Sequence, residues 1–474
     1  MAEMKKQYRF IARVVIETKT PLNIGSGNKS VKTDSLVLRD VNGLPFIPGT
    51  TIAGLLRHSL DKEEQELLMG SQEKGSRLMI TEARMLNEDE TVLDGMIEEK
   101  DLKTDFLSHF RKQMTIRQHV KIDHRGTAVK HGKFDEEIII KGTCFCFEIE
   151  MISSAKDDEH LKVDKDRFTN LLNHLVSPVF RIGSGSRSGF GEIEVKSCKY
   201  KVLDLNKDRQ LYLDKSSSLN SNFFDSVEEY QLNRKAEGWT CYTLSIEPED
   251  FLLFGSGFGD ENGWADMTYV REDYIDWKDS TERIKHRDKV LLIPGSSVKG
   301  AISHRAAYYY NKGKEIFVDN LPEGKTINDF VGTNNPAVVA LFGSEGVKVE
   351  GKMEGKQRGN VLISDVIEAK DLSAKYLNHV SIDRFTGGAI DGALFTEEVL
   401  YAKGQVIPIK LFVNKKAFDD VKNEEGEVVR KGKEVENAFE HTLDDICSGL
   451  LPLGGGVNRG NGCFKGSWTK VELK

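Results

Sequence analysis

This sequence predicts two tandem domains of the α+β class, each with strands and helices in the order βαββαβ. The chain has 474 residues, enough for two to four domains without crosslinks or structural metals. Blocks of sequence occur twice in the same order, and IPGTTIAGLLRH at 47–58, for example, recurs as IPGSSVKGAISH at 293–304. In each copy, segments with the period of a strand alternate with segments with the period of a helix. This pattern indicates a duplication with domains at 1–202 and 239–474 and a linker at 203–238.

Four further blocks make up the repeat. In pairs, they are Gly25–Gly27 with Gly255–Gly257, LLMGS at 67–71 with ALFGS at 340–344, KIDHRGTA at 121–128 with SIDRFTGGA at 381–389, and GSGSRSGFGEI at 183–193 with GGGVNRGNGCF at 454–464. The spacing between the copies drifts along the chain, which indicates loop insertions and not rearrangement. The linker contains SSSLNSNFFDS and has no sustained period, as is typical of a domain boundary.

The elements of the first copy follow from its apolar residues. Alternation from Tyr8 to Ile16 predicts the first strand, and a helical stripe from Ile52 to Leu60, opened by Pro48, predicts the first helix. The remaining predicted elements are strands at 77–84 and 143–151, a helix across 168–175 and a strand at 190–202.

The second copy repeats the order. Its predicted elements are a strand at 240–248, a helix at 296–310, strands at 360–367 and 403–413, a helix at 436–449 and a strand at 462–472. This split βαβ arrangement is the ferredoxin-like order that RNA-recognition modules share. Such a fold does not by itself define a function.

The charges exclude one class of protein and favour another. Lys and Arg total 67 and Asp and Glu total 75, a net charge of -8, which argues against a protein that coats nucleic acid through its overall charge. The charge is uneven, because residues 111–133 carry seven Lys or Arg and three His against one Asp, whereas residues 88–105 carry eight acids against two Lys. We therefore expect any contact with a polyanion to be local.

Cysteine usage and hydropathy predict a cytoplasmic protein that does not bind a membrane. The six cysteines are scattered, and the close pair Cys144 and Cys146 has no second pair to complete a zinc site. Reduced core thiols are expected. The N-terminal segment lacks the apolar core of a signal peptide, and no apolar run approaches the roughly 18 residues of a membrane span.

A glycine-rich segment directly follows the second predicted helix of each copy. Small residues let backbone amides approach phosphates closely. Each segment also carries arginine, Arg181 and Arg187 in the first and Arg459 in the second. An ordinary turn is the alternative for a single segment of this kind, but two at the same topological place favour phosphate binding.

The whole set of motifs resembles one known family, the RAMP superfamily, whose members form the guide-RNA-binding backbone of type III CRISPR effector complexes. The resemblance lies in TDSLVLRDVNGLPFIPGTTIAG of the first copy, in IPGSSVKG and SIDRFTGGAIDGALFTEEVL of the second, and in the glycine-rich loop after the last helix. It covers both copies nearly end to end. Because one subunit normally has one such domain, the fused pair is similar to the double-backbone protein of subtype III-D.

The resemblance implies an RNA-guided endoribonuclease that cuts target RNA with an aspartate in the loop after the first strand. Asp34, in DSLVLRD, matches that position, and Asp266, in ADMTYVRED, is its counterpart in the second copy. The second loop is 16 residues longer, so Asp260 and Asp273 remain alternatives to Asp266. Without the family, Asp34 would be interpreted as part of an Asx turn before a strand.

The family also implies a divalent ion, Mg²⁺ or Mn²⁺, held by Asp34 and Asp266. One carboxylate plus waters suits Mg²⁺, and an ion there would stabilise the charge that develops when a 2′-hydroxyl of the RNA attacks the neighbouring phosphate. The implied partners are a CRISPR guide RNA, a complementary target RNA and other subunits of a type III effector.

The residues that the resemblance places against RNA are glycines and basic residues of the repeated blocks. They are Gly25, Gly27, Arg57, Lys121, Arg125, Gly183, Gly185, Arg187, Gly255, Gly257, Lys299, Arg384, Gly454, Gly455, Gly456 and Arg459. The basic stretch 111–133 and its counterpart 379–402 are expected to form thumb-like insertions that wedge into the guide–target duplex. A solvated charged face is the alternative for these stretches.

Two other functions remain open at this point. His58 and His304 occupy the same place on the first helix of each copy, and a buried histidine bonded to a neighbour is one interpretation. The other is a general acid or base in an endoribonuclease that processes the guide precursor. A non-catalytic guide-binding scaffold is the third hypothesis, and removal of metal distinguishes a metal-dependent cutter from a processing enzyme.

Overall fold

The structure is a computed structural model that describes most of the chain. The described residues are 7–30, 33–112, 114–259, 262–279, 282–285, 290–349, 352–369, 372–423 and 425–473. Helices and mostly antiparallel strands occur throughout, which confirms the predicted α+β class. Two large hydrophobic cores form, one mainly from residues 8–198 and the other from residues 242–464.

The sheet of the first domain has four main strands, all antiparallel to their neighbours. In spatial order they are Leu78–Ile80, Cys144–Ser153, Tyr8–Thr18 and Ile193–Asp204, and the short strand Arg84–Met85 also pairs with Cys144–Ser153. The two predicted helices are Gly49–Ser59 and Asp158–Asn173. Each predicted element is therefore present, but the second helix begins at Asp158 and not near 168, and the strand predicted at 77–84 is shorter and is followed by the separate strand Arg84–Met85.

Packing in this domain follows the alternation in the sequence. Phe10, Ala12, Val14 and Ile16 of the first strand are all fully buried, and the ring of Phe10 lies 5.5 Å from that of Phe168 on the second helix. Burial of a large apolar side chain contributes about 1.5 to 3 kcal/mol. The inward side chains of the strand therefore hold the helix on the sheet.

Several additional elements decorate the first domain. They are helices Lys62–Met69 and Asp105–Lys112, 3-10 turns Asp101–Lys103 and His174–Val176, and strands Thr115–Ile122 and Ala128–Ile138. We name the last two strands, which pair with each other, hairpin one. It contains most of the basic stretch in which a thumb-like insertion is expected.

The segment 203–238 packs along the first domain and contains the short helix Arg209–Leu213 and the 3-10 turn Asn222–Phe224. Phe224 is buried against Ile11 on the outer face of the sheet. The guanidinium of Arg13 lies 4.8 Å from the ring of Phe224 and donates to the backbone oxygen of Ser221 at 2.7 Å. The segment therefore covers this part of the outer face of the sheet.

The sheet of the second domain has the same arrangement. Its strands in spatial order are Val361–Ile363, Ile407–Asn414, Trp239–Pro248 and Phe464–Glu472, and its two main helices are Gly295–Gly313 and Gly432–Cys447. Tyr242, at the centre of the sheet, is fully buried and packs edge-on against Phe439.

The second domain carries more insertions than the first. A second long hairpin, hairpin two, consists of Ser373–His379 and Phe395–Tyr401, and Phe251–Leu252 pairs with its second strand. The other paired strands are Tyr274–Ile275 with Ile284–Lys285, Val290–Ile293 with Val366–Ala369, Gly343–Ser344 with Gln357–Arg358, Val347–Val349 with Lys352–Glu354, and Val421–Lys422 with Val428–Arg430. The remaining helical elements are Pro336–Phe342, Val318–Asn320, Ile327–Phe330, Gly332–Asn334, Lys415–Phe418 and Val457–Arg459.

The two domains are in close contact at Gly189 of the first glycine-rich loop. The backbone nitrogen of Asp365 donates to the oxygen of Gly189 at 3.1 Å. A Cβ atom at Gly189, whose φ is +124°, would lie 1.8 Å from Oδ1 of Asp365, so glycine is required there. This contact interrupts the predicted strand 360–367, which divides into Val361–Ile363 and Val366–Ala369 with different partners.

A segment of the second half also packs on the first domain. Ile275 and Ile284 belong to the hydrophobic core of the first domain, and Nε1 of Trp277 donates to the backbone oxygen of Gly142 at 2.6 Å. Within the part of the chain that the structure describes, no helix is long and apolar enough to cross a membrane.

Candidate nucleic-acid interface

Asp34 lies in an extended loop that runs alongside hairpin one. Its backbone nitrogen donates to Oδ1 of Asp135 at 2.8 Å, and the backbone nitrogen of Asp135 donates to Oδ2 of Asp34 at 3.3 Å. The next residue, Ser35, forms a parallel bridge with Glu136. The carboxylate of Asp34 is 54% exposed, and Nζ of Lys29 lies 3.9 Å from its Oδ1. These contacts fix the backbone of the loop and leave the carboxylate accessible to a ligand.

Asp266 has the same setting beside hairpin two. Its backbone nitrogen donates to the oxygen of Thr396 at 2.8 Å, and the backbone nitrogen of Thr396 donates to Oδ2 of Asp266 at 2.8 Å. Met267, the next residue, forms a parallel bridge with Glu397. Asp266 is therefore the geometric counterpart of Asp34.

The two alternatives to Asp266 have different positions. Asp260 lies outside the described residues. Asp273 lies beside His109 of the first domain, with Oδ2 3.7 Å from Nδ1, and is largely buried. Glu272, and not Asp273, is the counterpart of Asp40 in the second domain. The arginines that immediately precede these two acids, Arg39 and Arg271, make matching ion pairs with the two hairpins.

The residues at these loops fit a metal ion that is held mostly by water and substrate. Among the described residues, no group of three or more His, Cys, Asp or Glu side chains could enclose a metal. The first loop offers two neighbouring carboxylates, Asp34 and Asp135, and the second offers Asp266 beside Thr396. One or two carboxylates suit Mg²⁺, which retains several waters and shares its shell with phosphate oxygens.

A repeated cluster within each hairpin was missed by the sequence analysis. In hairpin one, His119 stacks on Phe134 with the rings 4.8 Å apart, and its Nε2 lies 3.0 Å from Oε1 of Glu136. The same contacts recur in hairpin two between His379, Phe395 and Glu397, at 4.8 Å and 3.0 Å. The signal that could have identified this cluster is FDEEI at 134–138 with FTEEV at 395–399.

Both hairpins end in exposed turns held by an aspartate. Oδ1 of Asp123 accepts from the backbone nitrogens of Arg125 and Thr127, and Oδ1 of Asp383 accepts from those of Phe385 and Thr386. These backbone and side-chain hydrogen bonds hold the pKa of Asp383 below its usual range, as expected for a stabilised carboxylate.

The turns present the basic and apolar side chains expected of a wedge. Lys121, Arg125 and Arg384 are exposed, and the guanidinium of Arg125 lies 2.8 Å from Asp123. The ring of Phe385 is 98% exposed. Four more large apolar side chains between residues 380 and 394 are exposed as well, and such a concentration of exposed apolar side chains favours contact with a partner.

The Gly-Ser-Gly blocks occupy matching places at the start of the two aspartate loops. Gly25 and Gly255 form antiparallel bridges with Val37 and Tyr269. Gly27 and Gly257 both have left-handed φ, +77° and +85°. Gly257 also lies against hairpin one, because a Cβ atom there would be 2.8 Å from Oε1 of Gln118.

The two glycine-rich loops have the same backbone conformation. The matched left-handed glycines are Gly183, Gly185, Gly189 and Gly191 in the first loop and Gly454, Gly456, Gly460 and Gly462 in the second. Gly455 lies between them against Leu253. In this register Arg459 matches Ser188, so Arg187 and Arg459 are not equivalent.

Both arginines make contacts within the protein. Nε of Arg187 donates to the backbone oxygen of Gly359 in the second domain at 2.6 Å, and burial next to Arg358 lowers the pKa of Arg187 to about 10. Arg459 pairs with Glu397 and lies 5.5 Å from the ring of Phe395. Arg181 is also used internally, in an ion pair with Glu192. Contacts of Arg187 and Arg459 with RNA remain predictions.

The basic residues of the first helices differ between the copies. Arg57 donates to the oxygen of Gly70 at 3.4 Å. Lys299 instead lies at the domain junction, 3.3 Å from Oγ of Ser188, and burial lowers its pKa. Arg57 and Lys299 therefore have different surroundings, and within the matched blocks they align with Ser303 and Ala53 and not with each other.

The prediction that the helix histidines are buried is wrong. His58 is exposed, with Nδ1 2.7 Å from the oxygen of Gly54 in its own helix. His304 is partly exposed, with Nε2 3.3 Å from the oxygen of Ile122 in hairpin one. Neither ring is part of a hydrophobic core: His58 lies near the end of its helix and His304 lies against hairpin one.

Comparison with known families matches both halves of the chain. Residues 15–194 and 278–465 each match the family model described as the RAMP superfamily. These ranges contain all the repeated blocks apart from Gly255–Gly257, together with Asp34 and both hairpins.

A characterised protein is similar to part of the chain. The CRISPR system Cms endoribonuclease Csm3 of Methanocaldococcus jannaschii is 25% identical over 217 residues, which is 42% of this chain and 83% of that protein. The match has the length of about one domain of the present chain.

Proposed function

The chain belongs to the RAMP superfamily, and from this premise we propose that it is a guide-RNA-binding backbone subunit of a type III CRISPR effector that cleaves complementary target RNA. Each domain would contribute one metal-dependent site, with Asp34 in the first and Asp266 in the second. The spatial order of the strands supports a ferredoxin-like fold for each domain. The fused pair supports assignment to a III-D-like subtype.

One observation carries this proposal: the two aspartates have the same local geometry in both domains. Each accepts a hydrogen bond from the strand that leads out of its hairpin tip, and each retains an open setting. A structural Asx turn would satisfy its carboxylate locally, whereas Asp34 and Asp266 make these contacts across more than 100 residues of chain. The similarity to an endoribonuclease supports the same interpretation.

The proposed cleavage reaction depends on the carboxylate oxygens that the two loops offer to a metal ion. A divalent ion bound there would stabilise negative charge on the phosphate as a 2′-hydroxyl attacks it. The contribution of the protein is to orient the carboxylate, which Asp135 and Thr396 do through backbone contacts with Asp34 and Asp266. Hairpins that open the duplex next to the loop would bring the scissile phosphate into line.

Basic residues at the tip of hairpin one should bind RNA without regard to sequence. We expect the double substitution Lys121→Ala with Arg125→Ala to weaken binding of unrelated guides alike and to reduce the salt-dependence slope by about one unit per lost phosphate contact. Binding isotherms at several salt concentrations measure both quantities. Lys162→Ala with Lys165→Ala, on an exposed helix face, is the matched control. A loss confined to one guide sequence would contradict backbone recognition.

Phe385 should act as the wedge of hairpin two. We expect Phe385→Ala to leave the thermal midpoint unchanged, because the ring is exposed, and to abolish local unstacking of the duplex. The measurement is the fluorescence of 2-aminopurine placed at successive target positions, which rises where a base is unstacked. Val471→Ala, another exposed apolar side chain, is the control. Equal fluorescence in the variant and the parent would count against a wedge.

The proposed partners are a guide RNA, a target RNA and neighbouring effector subunits, in the cytoplasm. Cleavage that stops on addition of EDTA and resumes with Mg²⁺ or Mn²⁺ supports the proposal. Cleavage of a guide precursor that continues in EDTA and is lost on His58→Ala favours the processing enzyme. Guide binding with no cleavage of either RNA would identify a scaffold.

A further inference from the structure

Each domain contains one pair of acidic side chains bridged by a single arginine. In the second domain the pair is Glu272 and Asp365, and the arginine is Arg117 from the start of hairpin one in the first domain. All three side chains are buried, with exposures of 3%, 0% and 2%. The cation that neutralises the second domain's acids is thus supplied by the domain before it.

The first domain has the same acid pair in Asp40 and Glu82. Asp40 directly follows Arg39 as Glu272 directly follows Arg271. Glu82 lies two residues after the strand Leu78–Ile80, as Asp365 lies two residues after Val361–Ile363. These two acids are bridged by Arg84 of the same domain, with Nη1 3.2 Å from Oδ2 of Asp40 and Nη2 paired with Glu82.

The two copies take their arginine from different positions, and neither copy has an arginine at the position that the other one uses. The position of Arg84, two residues after its acid, is Ile367 in the second domain. The position of Arg117, opposite Glu136 in hairpin one, is Leu377, which lies opposite Glu397 in hairpin two. Each acid pair therefore has one arginine. The first domain supplies its own, Arg84, whereas the second domain receives Arg117 from the first.

The triad lies at a contact between the two domains. Oδ1 of Asp365 accepts from the backbone nitrogen of Gly295 at 2.7 Å, at the start of a helix. A Cβ atom at Gly295 would lie 2.8 Å from the Cα of Gly189. The guanidinium of Arg117 also stacks over Phe190, 4.6 Å from the ring centre. A change at position 117 in the adjoining domain is thus felt directly by the acid pair.

Each of these sites holds one guanidinium, which bridges both acids. Two buried carboxylates without a cation are strongly unfavourable, because their desolvation is uncompensated. A planar guanidinium can bridge two acids with its separate nitrogens. A second arginine would have to lose its hydration beside the first guanidinium, whose like charge repels it and which already bridges both acids.

We propose that the acid pair selects the adjoining domain by the residue at the position of Arg117. The second domain requires a preceding domain with arginine there. The first domain, whose acids already hold Arg84, accepts a neighbouring domain of the same family with an uncharged residue there and rejects one with arginine. The side chains of Glu82 and Arg84 are 48% and 23% exposed, so this face is open to such a neighbour.

The rule can be tested inside the intact chain, independently of RNA binding or cleavage. Arg117→Leu removes the neighbour's arginine, Ile367→Arg adds one in the arrangement of the first domain, and the double variant combines both. The readout is hydrogen–deuterium exchange at the amide of Asp365, which donates to Gly189 across the junction. We expect each single variant to exchange about tenfold faster or more, and the double variant to return to within about threefold of the parent.

The controls separate selection from general destabilisation. Arg117→Leu with Ile367→Met, which changes the size of the side chain without adding charge, should exchange as fast as Arg117→Leu alone. Amides of the strands Cys144–Ser153 and Ile407–Asn414 report unfolding of either domain. If one of the single variants does not fold, the double variant decides the test: the proposal requires Arg117→Leu combined with Ile367→Arg to fold. The proposal would be wrong if the double variant exchanged as fast as Arg117→Leu alone. It would also be wrong if Ile367→Arg exchanged at the parental rate.

Discussion

Replacement of Asp34 by asparagine should abolish one of the cuts in the target RNA. Asparagine keeps the size of the side chain and an oxygen that can accept from the backbone nitrogen of Asp135, but it lacks the charge that binds a divalent ion. We expect the rate of that cut to fall by about 100-fold or more with little change in guide affinity. The assembled complex, end-labelled target and a denaturing gel, with and without EDTA, measure the rate.

Two further measurements make this expectation specific. Guide affinity of the variant, determined at the same salt concentration, should match that of the parent, because Asp34 contributes no positive charge to RNA binding. Asp208→Asn, in the segment behind the sheet, is a control that should cut normally. If Asp34→Asn cuts at every position with parental rate, Asp34 is not the catalytic carboxylate.

Replacement of Asp266 by asparagine should remove a different product band. The two aspartates belong to separate loops and form their hydrogen bonds with different residues, Asp135 and Thr396, so their effects should be independent. We expect Asp34→Asn to eliminate one band, Asp266→Asn the other, and the double variant both. The same gel reports all three variants, and the distance between the bands gives the spacing of the two sites along the guide.

The second site has clear alternative outcomes. If Asp266→Asn leaves both bands but Asp260→Asn or Asp273→Asn removes one, the longer loop supplies the carboxylate from another position. If a single band is seen and no change in the second domain affects it, the second domain does not cut. Either result would contradict the proposal of one site at each matched aspartate.

Most of the fold could be predicted because it depends on local patterns. The alternation from Tyr8 to Ile16 and the helical stripe beginning at Ile52 report burial directly, and both elements form where expected. The segment 203–238 has too few apolar residues to show a period. Its burial against the sheet depends on a few side chains, such as Leu219 and Phe224.

The candidate site could be predicted only in part. Asp34 stands in a motif of contiguous residues, so the sequence was sufficient to propose it as a candidate, and its catalytic role stays a prediction. The stacked pairs His119 with Phe134 and His379 with Phe395 are formed across hairpins, between residues about 15 apart in strands that face water on at least one side. Nearly all side chains of the strands Thr115–Ile122 and Ser373–His379 are exposed or partly exposed, so these strands lack the alternation of a half-buried strand and their sequence did not indicate the pairs.

The amino-acid sequence by itself determined the duplication, the order of strands and helices and the first aspartate loop, because each depends on repeated or periodic residues close together in the chain. The tertiary structure alone decided which charges meet. Arg117 bonds with Glu272 and Asp365 across separations of 155 and 248 residues, and Arg84 meets the matching acids within its own domain. Whether a charged residue is solvated or buried in an ion pair depends on which distant segments pack against it, and no local pattern carries that information.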